Sequence, residues 1–263
     1  MRPDNRIGVF DSGVGGISVL REVRALLPCE DLWYVADSGH CPYGSKTEDY
    51  IRDRSLSITG WLIEQGVKCV VVACNTATAA AADLLRATFT VPIIAMEPAI
   101  KPAVAATHSG VIGVLATVGT TRSERLTSLI ERFGRGVQVL TQPCPGLVEH
   151  IEAGDLGSAG IRALLEQYVE PILERGADTL VLGCTHYPFL RPLLAELVGP
   201  EVALIDTGAA VARRTRELLD VHGLLHMAGT GQERFWSSGD LATAQRVMSS
   251  LWGKPVTAGS LPV

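Results

Sequence analysis

The sequence is short of several things that announce a function. Of 263 residues only 5% are aromatic, and lysine occurs at only Lys46, Lys68, Lys101 and Lys254. The longest clean apolar stretch, about Cys69 to Cys74, falls far below the roughly 20 residues that span a bilayer, so no membrane helix is expected. Charge of one sign is never gathered: 23 Lys plus Arg oppose 28 Asp plus Glu, a net −5, which excludes a basic patch for nucleic acid. The six cysteines (Cys29, Cys41, Cys69, Cys74, Cys144 and Cys184) include no C-x-x-C pair, so neither a zinc site nor a thioredoxin-like motif is indicated. Met1 to Arg6 is polar and lacks the charged-then-apolar order of a signal peptide. A cytoplasmic protein with free thiols is therefore expected.

What is present is an apolar fraction of 47% against 19% charged residues, enough for a substantial core and incompatible with disorder. The length suggests two domains or one large α/β unit. Strand-like runs alternate with helical stretches: Ile7–Phe10, Leu32–Ala36, Val67–Ala73, Val91–Met96, Val111–Ala116, Val137–Leu140, Thr179–Leu182 and Val202–Ile205. Several are continuously apolar rather than alternating, which suits parallel strands covered on both faces. Between them, Leu164, Leu165, Tyr168, Val169, Ile172 and Leu173 draw one apolar helical stripe, ended by Gly176. This predicts doubly wound parallel sheets, whose ligands sit beyond the carboxyl ends of the strands.

A coarse duplication accompanies the pattern. Ile7-Gly8-Val9-Phe10 resembles Ile112-Gly113-Val114-Leu115, and Val70-Val71-Val72-Ala73-Cys74-Asn75-Thr76 resembles Leu180-Val181-Leu182-Gly183-Cys184-Thr185-His186. The similar offsets support two related lobes, with a boundary near Pro98 to Pro102 and the second lobe ending near Asp206-Thr207-Gly208.

Three strand-end turns carry polar chemistry. Asp11-Ser12-Gly13-Val14-Gly15-Gly16 opens a helix whose N-terminus could hold an anion. A dinucleotide fingerprint fits poorly, because Ser18 stands where the third glycine belongs and Asp11 would face a pyrophosphate. An ammonium group, proton handling, or a plain turn with a capping aspartate are the open readings. Cys74-Asn75-Thr76 leads into Ala77–Ala87, and Cys184-Thr185-His186-Tyr187-Pro188 leads into Phe189–Val198. A thiol at a helix start is expected to have its pKa lowered from about 8.5. For Cys29, Cys69 and Cys144 the better reading is a buried small hydrophobe. Cys74 and Cys184 differ, since polar neighbours follow both. Presented from two sides of a cleft, they suit removal of a proton from one face of a carbon acid and return to the other.

Taken together, Asp11-Ser12-Gly13-x-Gly15-Gly16, Pro42-Tyr43-Gly44, Cys74-Asn75-Thr76-Ala77, Glu97-Pro98-Ala99, Gly183-Cys184-Thr185-His186-Tyr187-Pro188 and Asp206-Thr207-Gly208 resemble the glutamate racemases of the aspartate/glutamate racemase family. The resemblance runs from about residue 6 to 220. It implies an α/β fold of two pseudo-symmetric, doubly wound parallel-sheet lobes with the active site between them. One lobe would comprise 1–98 with 208–263, the other 99–207. It implies racemisation of L- and D-glutamate without pyridoxal phosphate or metal, supplying D-glutamate for peptidoglycan, in a possible homodimer. Cys74 would be the base toward the D-enantiomer and Cys184 toward the L-enantiomer, assisted by Asp11, His186 and Glu152, with Glu149 the alternative to Glu152. Substrate would be held by Asp11, Ser12, Pro42, Tyr43, Gly44, Asn75, Thr76, Thr117, Thr120, Thr185 and His186. Two features depart from the family pattern. His40 and Cys41 stand beside the Pro-Tyr-Gly turn, which could bring a third thiol near the pocket, although an incidental role is the reading preferred. There is also no long amino-terminal extension, so activation by a cell-wall precursor through that route is not expected.

The competing readings are aspartate racemisation on the same scaffold, acyl transfer with Cys184 as nucleophile and His186 as base, and a non-catalytic amino-acid-binding regulator. Acyl transfer leaves Cys74 without a role. No strand end carries a lysine suited to a Schiff base, which argues against pyridoxal phosphate.

Overall fold

The computed structural model describes residues 6–263, so the polar leader at 1–5 lies outside the described residues. Among the described residues ten strands form two sheets, and every recorded strand pair is parallel. The strands are β1 (Arg6–Asp11), β2 (Asp31–Ala36), β3 (Cys69–Val72), β4 (Ile93–Ala95), β5 (Val111–Ala116), β6 (Gln138–Pro143), β7 (Thr179–Leu182), β8 (Ala203–Ile205), β9 (Glu233–Ser237) and β10 (Ala258–Ser260). One sheet has the order β10-β9-β2-β1-β3-β4 and the other β6-β5-β7-β8. Strip the two carboxyl-terminal strands from the first and the two orders coincide, which is the duplication expected from the sequence.

The continuous apolar runs are explained by burial on both faces. Ile7 and Val9 belong to one core cluster, while Phe10, Val70 and Val72 belong to another on the opposite face of the first sheet. The second sheet repeats this, with Leu115, Leu180 and Leu182 on one side and Ile112, Val114 and Val181 on the other. The glycine shared by both central strands has a packing reason. A Cβ at Gly8 would stand 3.1 Å from Leu62 Cδ1, and one at Gly113 would stand 2.6 Å from Ile172 Cγ2, so a crossover helix lies close on the strand in each lobe.

The helices read from the sequence depart from that reading at their ends, and Glu48–Glu64, Ile100–Ala106, Glu124–Phe133 and Leu147–Glu152 are helices it did not mark. The helix after Cys74 runs Asn75–Thr88, and Phe189–Val198 divides into a 3-10 turn, Tyr187–Leu190, and a helix, Arg191–Val198. The Leu164 stripe lies in the helix Ala159–Leu173, and Gly176 takes a left-handed φ of 85° just beyond it. Among the described residues no helix is long and apolar enough to cross a membrane.

Candidate active site

The two cysteine turns occupy equivalent places, after β3 and β7, the strands beside each central strand. Both thiols line one pocket with about 270 Å³ of empty space. Ser12, Pro42, Tyr43, Gly44, Asn75 and Thr76 come from turns of the first sheet, and Thr117, Val148, Thr185 and His186 from elements of the second. A wider, open surface cleft lined by Lys68, Arg86, Arg125 and Arg214 holds neither thiol and none of the expected groups.

On the Cys74 side, the sulfur caps the helix Asn75–Thr88 by accepting the Ala77 N–H at 3.3 Å, and donates toward Ser12 Oγ at 3.7 Å. Ser12 in turn donates to Asp11 Oδ1 at 3.4 Å. Asp11 Oδ2 accepts from the Gly16 N–H at 2.7 Å and from the Thr185 hydroxyl at 3.2 Å. Burial raises the Asp11 carboxyl above the ordinary carboxylate range, against the opposing pull of His186. The lowered thiol pKa expected at this helix start is not found. Burial, followed by the Asp11 charge, pushes the Cys74 thiol well up, and the Ala77 N–H offsets only part of that. One helix-end donor cannot replace the hydration lost by a fully enclosed sulfur.

The Cys184 side is built differently. Cys184 Sγ lies 3.6 Å from His186 Nδ1, and His186 Nε2 lies 2.6 Å from Glu152 Oε1. Burial opposes the charged imidazole, yet contacts to Cys184, Cys41 and Glu152 outweigh it and raise the His186 pKa well above its usual value. The ring is therefore an imidazolium at neutral pH, two residues from the thiol. Glu152 is pinned at the end of the helix Leu147–Glu152, accepting from the Val14 N–H at 2.6 Å and the Ser38 hydroxyl at 2.8 Å. Of the two alternative glutamates, Glu152 meets His186, whereas Glu149 is exposed.

The glycines of the first turn acquire a role other than cradling a bound anion. A Cβ at Gly15 would sit 2.2 Å from His186 Nδ1, and one at Gly13 would sit 2.0 Å from Glu152 Oε1. These positions must be bare for the second lobe's His–Glu pair to seat against the first lobe. The Val14 N–H, available in principle to a ligand, is taken by the protein's own carboxylate, Glu152.

Other expected residues sort by what they touch. Asn75 is 5% exposed, lines the pocket, and both polar atoms of its amide lack a partner in the protein. A buried amide that lines a cavity without a protein partner has both its donor and its acceptor free to bond there. Thr76 and Thr117 line the pocket with hydroxyls 3.0 Å apart, and Thr120 stands behind them, 3.2 Å from Thr76, outside the lining. Tyr43 forms pocket wall, but its hydroxyl donates to buried Asp37, which Arg54 also holds at 2.7 Å. Among the cysteines, Cys69 and Cys144 are buried as expected, while Cys29 is half-exposed. The Cys41 sulfur joins Glu152 and His186 in a cluster whose ligating atoms all lie within 4.8 Å of one another. Sequence spacing gave no sign of the cluster, because Cys41 lies 111 residues before Glu152 and 145 before His186. Val148 also lines the pocket without having been anticipated; it shares its short helix with Glu152 and carries no chemical signature.

The comparisons agree with this geometry. A family model described as Asp/Glu/hydantoin racemase matches residues 15–215. A protein of Pseudomonas aeruginosa named glutamate racemase is 58% identical over 258 residues, covering 98% of this chain and 97% of that one. The Escherichia coli glutamate racemase structure in complex with L-glutamate and the activator UDP-MurNAc-Ala superposes with a TM-score of 0.86 at 34% identity, covering 99% and 98% of the two chains. The Francisella tularensis glutamate racemase with D-glutamate gives 0.84 at 28% identity, covering 98% of each. With a family match of that span, a fold shared end to end and one thiol brought from each lobe to a single pocket, the chain belongs to the Asp/Glu/hydantoin racemase family.

Proposed function

We propose that this protein interconverts L- and D-glutamate by a two-base proton transfer between Cys74 and Cys184, without cofactor or metal, in the cytoplasm, supplying D-glutamate for peptidoglycan. The observation that carries the reading is the opening of both thiols, one from each lobe, onto one pocket. Each thiol has its own polar relay: Cys74–Ser12–Asp11 on one side and Cys184–His186–Glu152 on the other. In this reading Cys184 takes the α-proton of L-glutamate while Cys74 delivers one to the opposite face, and D-glutamate runs the exchange backwards. The unpaired Asn75 amide and the Thr76 and Thr117 hydroxyls are neutral donors. They can hold carboxylates while leaving the substrate ammonium charged, and the ammonium stabilises the developing carbanion. The lobes are taken as 1–98 with 208–263 and 99–207, which puts the strand pair β9 and β10 back on the first sheet.

The relatives named glutamate racemase favour glutamate over aspartate. Acyl transfer at Cys184 leaves the buried Cys74 relay without work, and a pure binding module has no need of two. Incubation with L-glutamate in heavy water tests the reading. D-glutamate carrying α-deuterium is the expected product; a trapped thioester, or recovery of unlabelled L-glutamate, overturns it.

A further inference from the structure

The geometry points to a binding site for a thiophilic divalent cation, Zn²⁺ foremost, formed by Cys41, Glu152 and His186 across the two lobes, whose occupation arrests racemisation. The arrest rests on the reading of His186 as the partner of Cys184; the binding does not.

Three donors of three kinds, a thiol sulfur, an imidazole nitrogen and a carboxylate oxygen, converge here with all ligating atoms within 4.8 Å of one another. Tetrahedral zinc has bonds of about 2.3 Å to sulfur and about 2.0–2.2 Å to nitrogen and oxygen, so its ligand atoms stand roughly 3.2–3.7 Å apart. The cluster needs small adjustments to reach that span: the 2.6 Å His186–Glu152 contact opens and the sulfur draws in. Sulfur among the donors selects against Mg²⁺ and Ca²⁺, which take oxygen ligands. Entry is available on the Cys41 and Glu152 side, since both are partly exposed while His186 is 1% exposed. Burial, with the neighbouring Glu152 charge, pushes the Cys41 thiol up to about 12. A bound dication supplies the charge that ionises it.

The exchange balances without a co-reactant. An S–H bond of Cys41 and the Nε2–H bond of the His186 imidazolium give way to Zn–S and Zn–N bonds, two protons pass to solvent, and Glu152 exchanges its histidine hydrogen bond for the metal. His186 then keeps only Nδ1–H, facing Cys184 at 3.6 Å. A metallated ring can give up that proton only as an imidazolate, so it can no longer follow the charge on Cys184. The ion also staples the Cys41 segment to the turn after β7 and the end of the Leu147–Glu152 helix, holding the cleft in one arrangement.

The test uses chelator-treated full-length protein and its Cys41→Ser variant, with Co²⁺ as spectroscopic probe and Zn²⁺ as effector. Wild type should bind one Co²⁺ with a thiolate-to-cobalt charge-transfer band and tetrahedral visible bands. Its melting temperature should rise with Zn²⁺, and its glutamate turnover should fall and return on chelation. Cys41→Ser should bind at least about 10- to 100-fold more weakly, without the band. Equal affinity and an unchanged band in Cys41→Ser overturn the site, as does a band that vanishes in Cys74→Ser while surviving in Cys41→Ser. Binding with undiminished turnover overturns the arrest. A metal-free wild type that fails to racemise glutamate refutes the proposed function instead, and the cobalt band and melting shift still decide the site.

Discussion

Gly15→Ala is the sharpest probe of how the lobes fit. The added methyl would stand 2.2 Å from His186 Nδ1, where ordinary contact begins at 3.4 Å, so something must move by the difference, about 1.2 Å. The methyl cannot swivel away, because it is fixed to the backbone. The ring cannot yield freely either: it is 1% exposed and held by Glu152 at 2.6 Å with Cys184 3.6 Å away. Overpacking of this kind costs about 1–3 kcal/mol, which at roughly 2–4 °C per kcal/mol for a protein this size lowers the melting temperature by about 2–12 °C. Catalysis should suffer more, since a misplacement of about 1 Å at a reacting group costs on the order of 100-fold. Gly157 supplies the control. It is exposed, nothing lies within 4 Å of its would-be Cβ, and Gly157→Ala should leave turnover intact and stability unchanged or slightly higher. The assays are circular dichroism of glutamate racemisation and thermal unfolding for both variants. Wild-type turnover and melting in Gly15→Ala would refute the claim that this glycine exists to seat the histidine.

Cys74→Ser and Cys184→Ser should each cut racemisation by about 100-fold or more, the worth of a positioned acid or base, as followed by polarimetry; wild-type rates in both would end the two-base account. Asn75→Ala should raise KM for glutamate about tenfold or more through the loss of a donor to a charged group, with little change in melting, because the amide has no partner in the free protein to lose. A large melting loss with KM unchanged would contradict this. Tyr43→Phe should act the other way, destabilising by about 1–3 kcal/mol in urea titration through the donor withdrawn from buried Asp37, while KM moves little. Glu152→Gln probes charge. The His186 pKa is raised above its unfolded value of about 6.5, so the pair's contribution to stability is complete below that pH and is lost as pH climbs through the folded value. The stability gap between wild type and Glu152→Gln should therefore be wide near pH 6 and close on the alkaline side; a gap that widens with rising pH would reverse the assignment.

Much of this was legible in the residues, and the illegible parts have physical reasons. Strands buried on both faces write themselves as apolar runs, and both cysteine turns were marked by polar residues at a strand end. β9 and β10 were not found. Glu233-Arg234 opens β9 with charges, and the strand is fixed by tertiary contacts, the Arg24–Glu233 ion pair and the 4.6 Å stacking of Trp236 on Trp33, that no local period encodes. The first turn was readable as a glycine turn but not as a socket, because the groups that fill it, Glu152 and His186, arrive from far along the chain. The Cys74 pKa was misjudged for the same reason: helix position is local and visible, whereas enclosure and the nearby Asp11 carboxyl are tertiary.

The topology repeats, yet the chemistry beside the two sulfurs does not: Cys74 has a hydroxyl and a buried carboxyl, Cys184 an imidazolium backed by a carboxylate. That asymmetry cannot favour one enantiomer in kcat/KM. Mirror-image substrates have equal free energies in water, so the equilibrium constant is one and kcat/KM must be the same in both directions at any pH. The asymmetry can act only on the division between kcat and KM. Burial keeps the resting Cys74 sulfur protonated, which makes it ready to deliver a proton and unready to take one. On the proposed assignment L-glutamate calls for the proton-bearing Cys74 that burial favours, while D-glutamate must bind to a form in which Cys74 has lost its proton, or induce it with its own ammonium. Binding to a minor state weakens apparent affinity by that state's fraction. The price falls on the KM for D-glutamate, and equality of kcat/KM then requires a larger kcat in that same direction. Unequal partners thus bias which sulfur carries a shared proton in the resting site, whereas a matched, interacting pair would hold one proton equally on either sulfur.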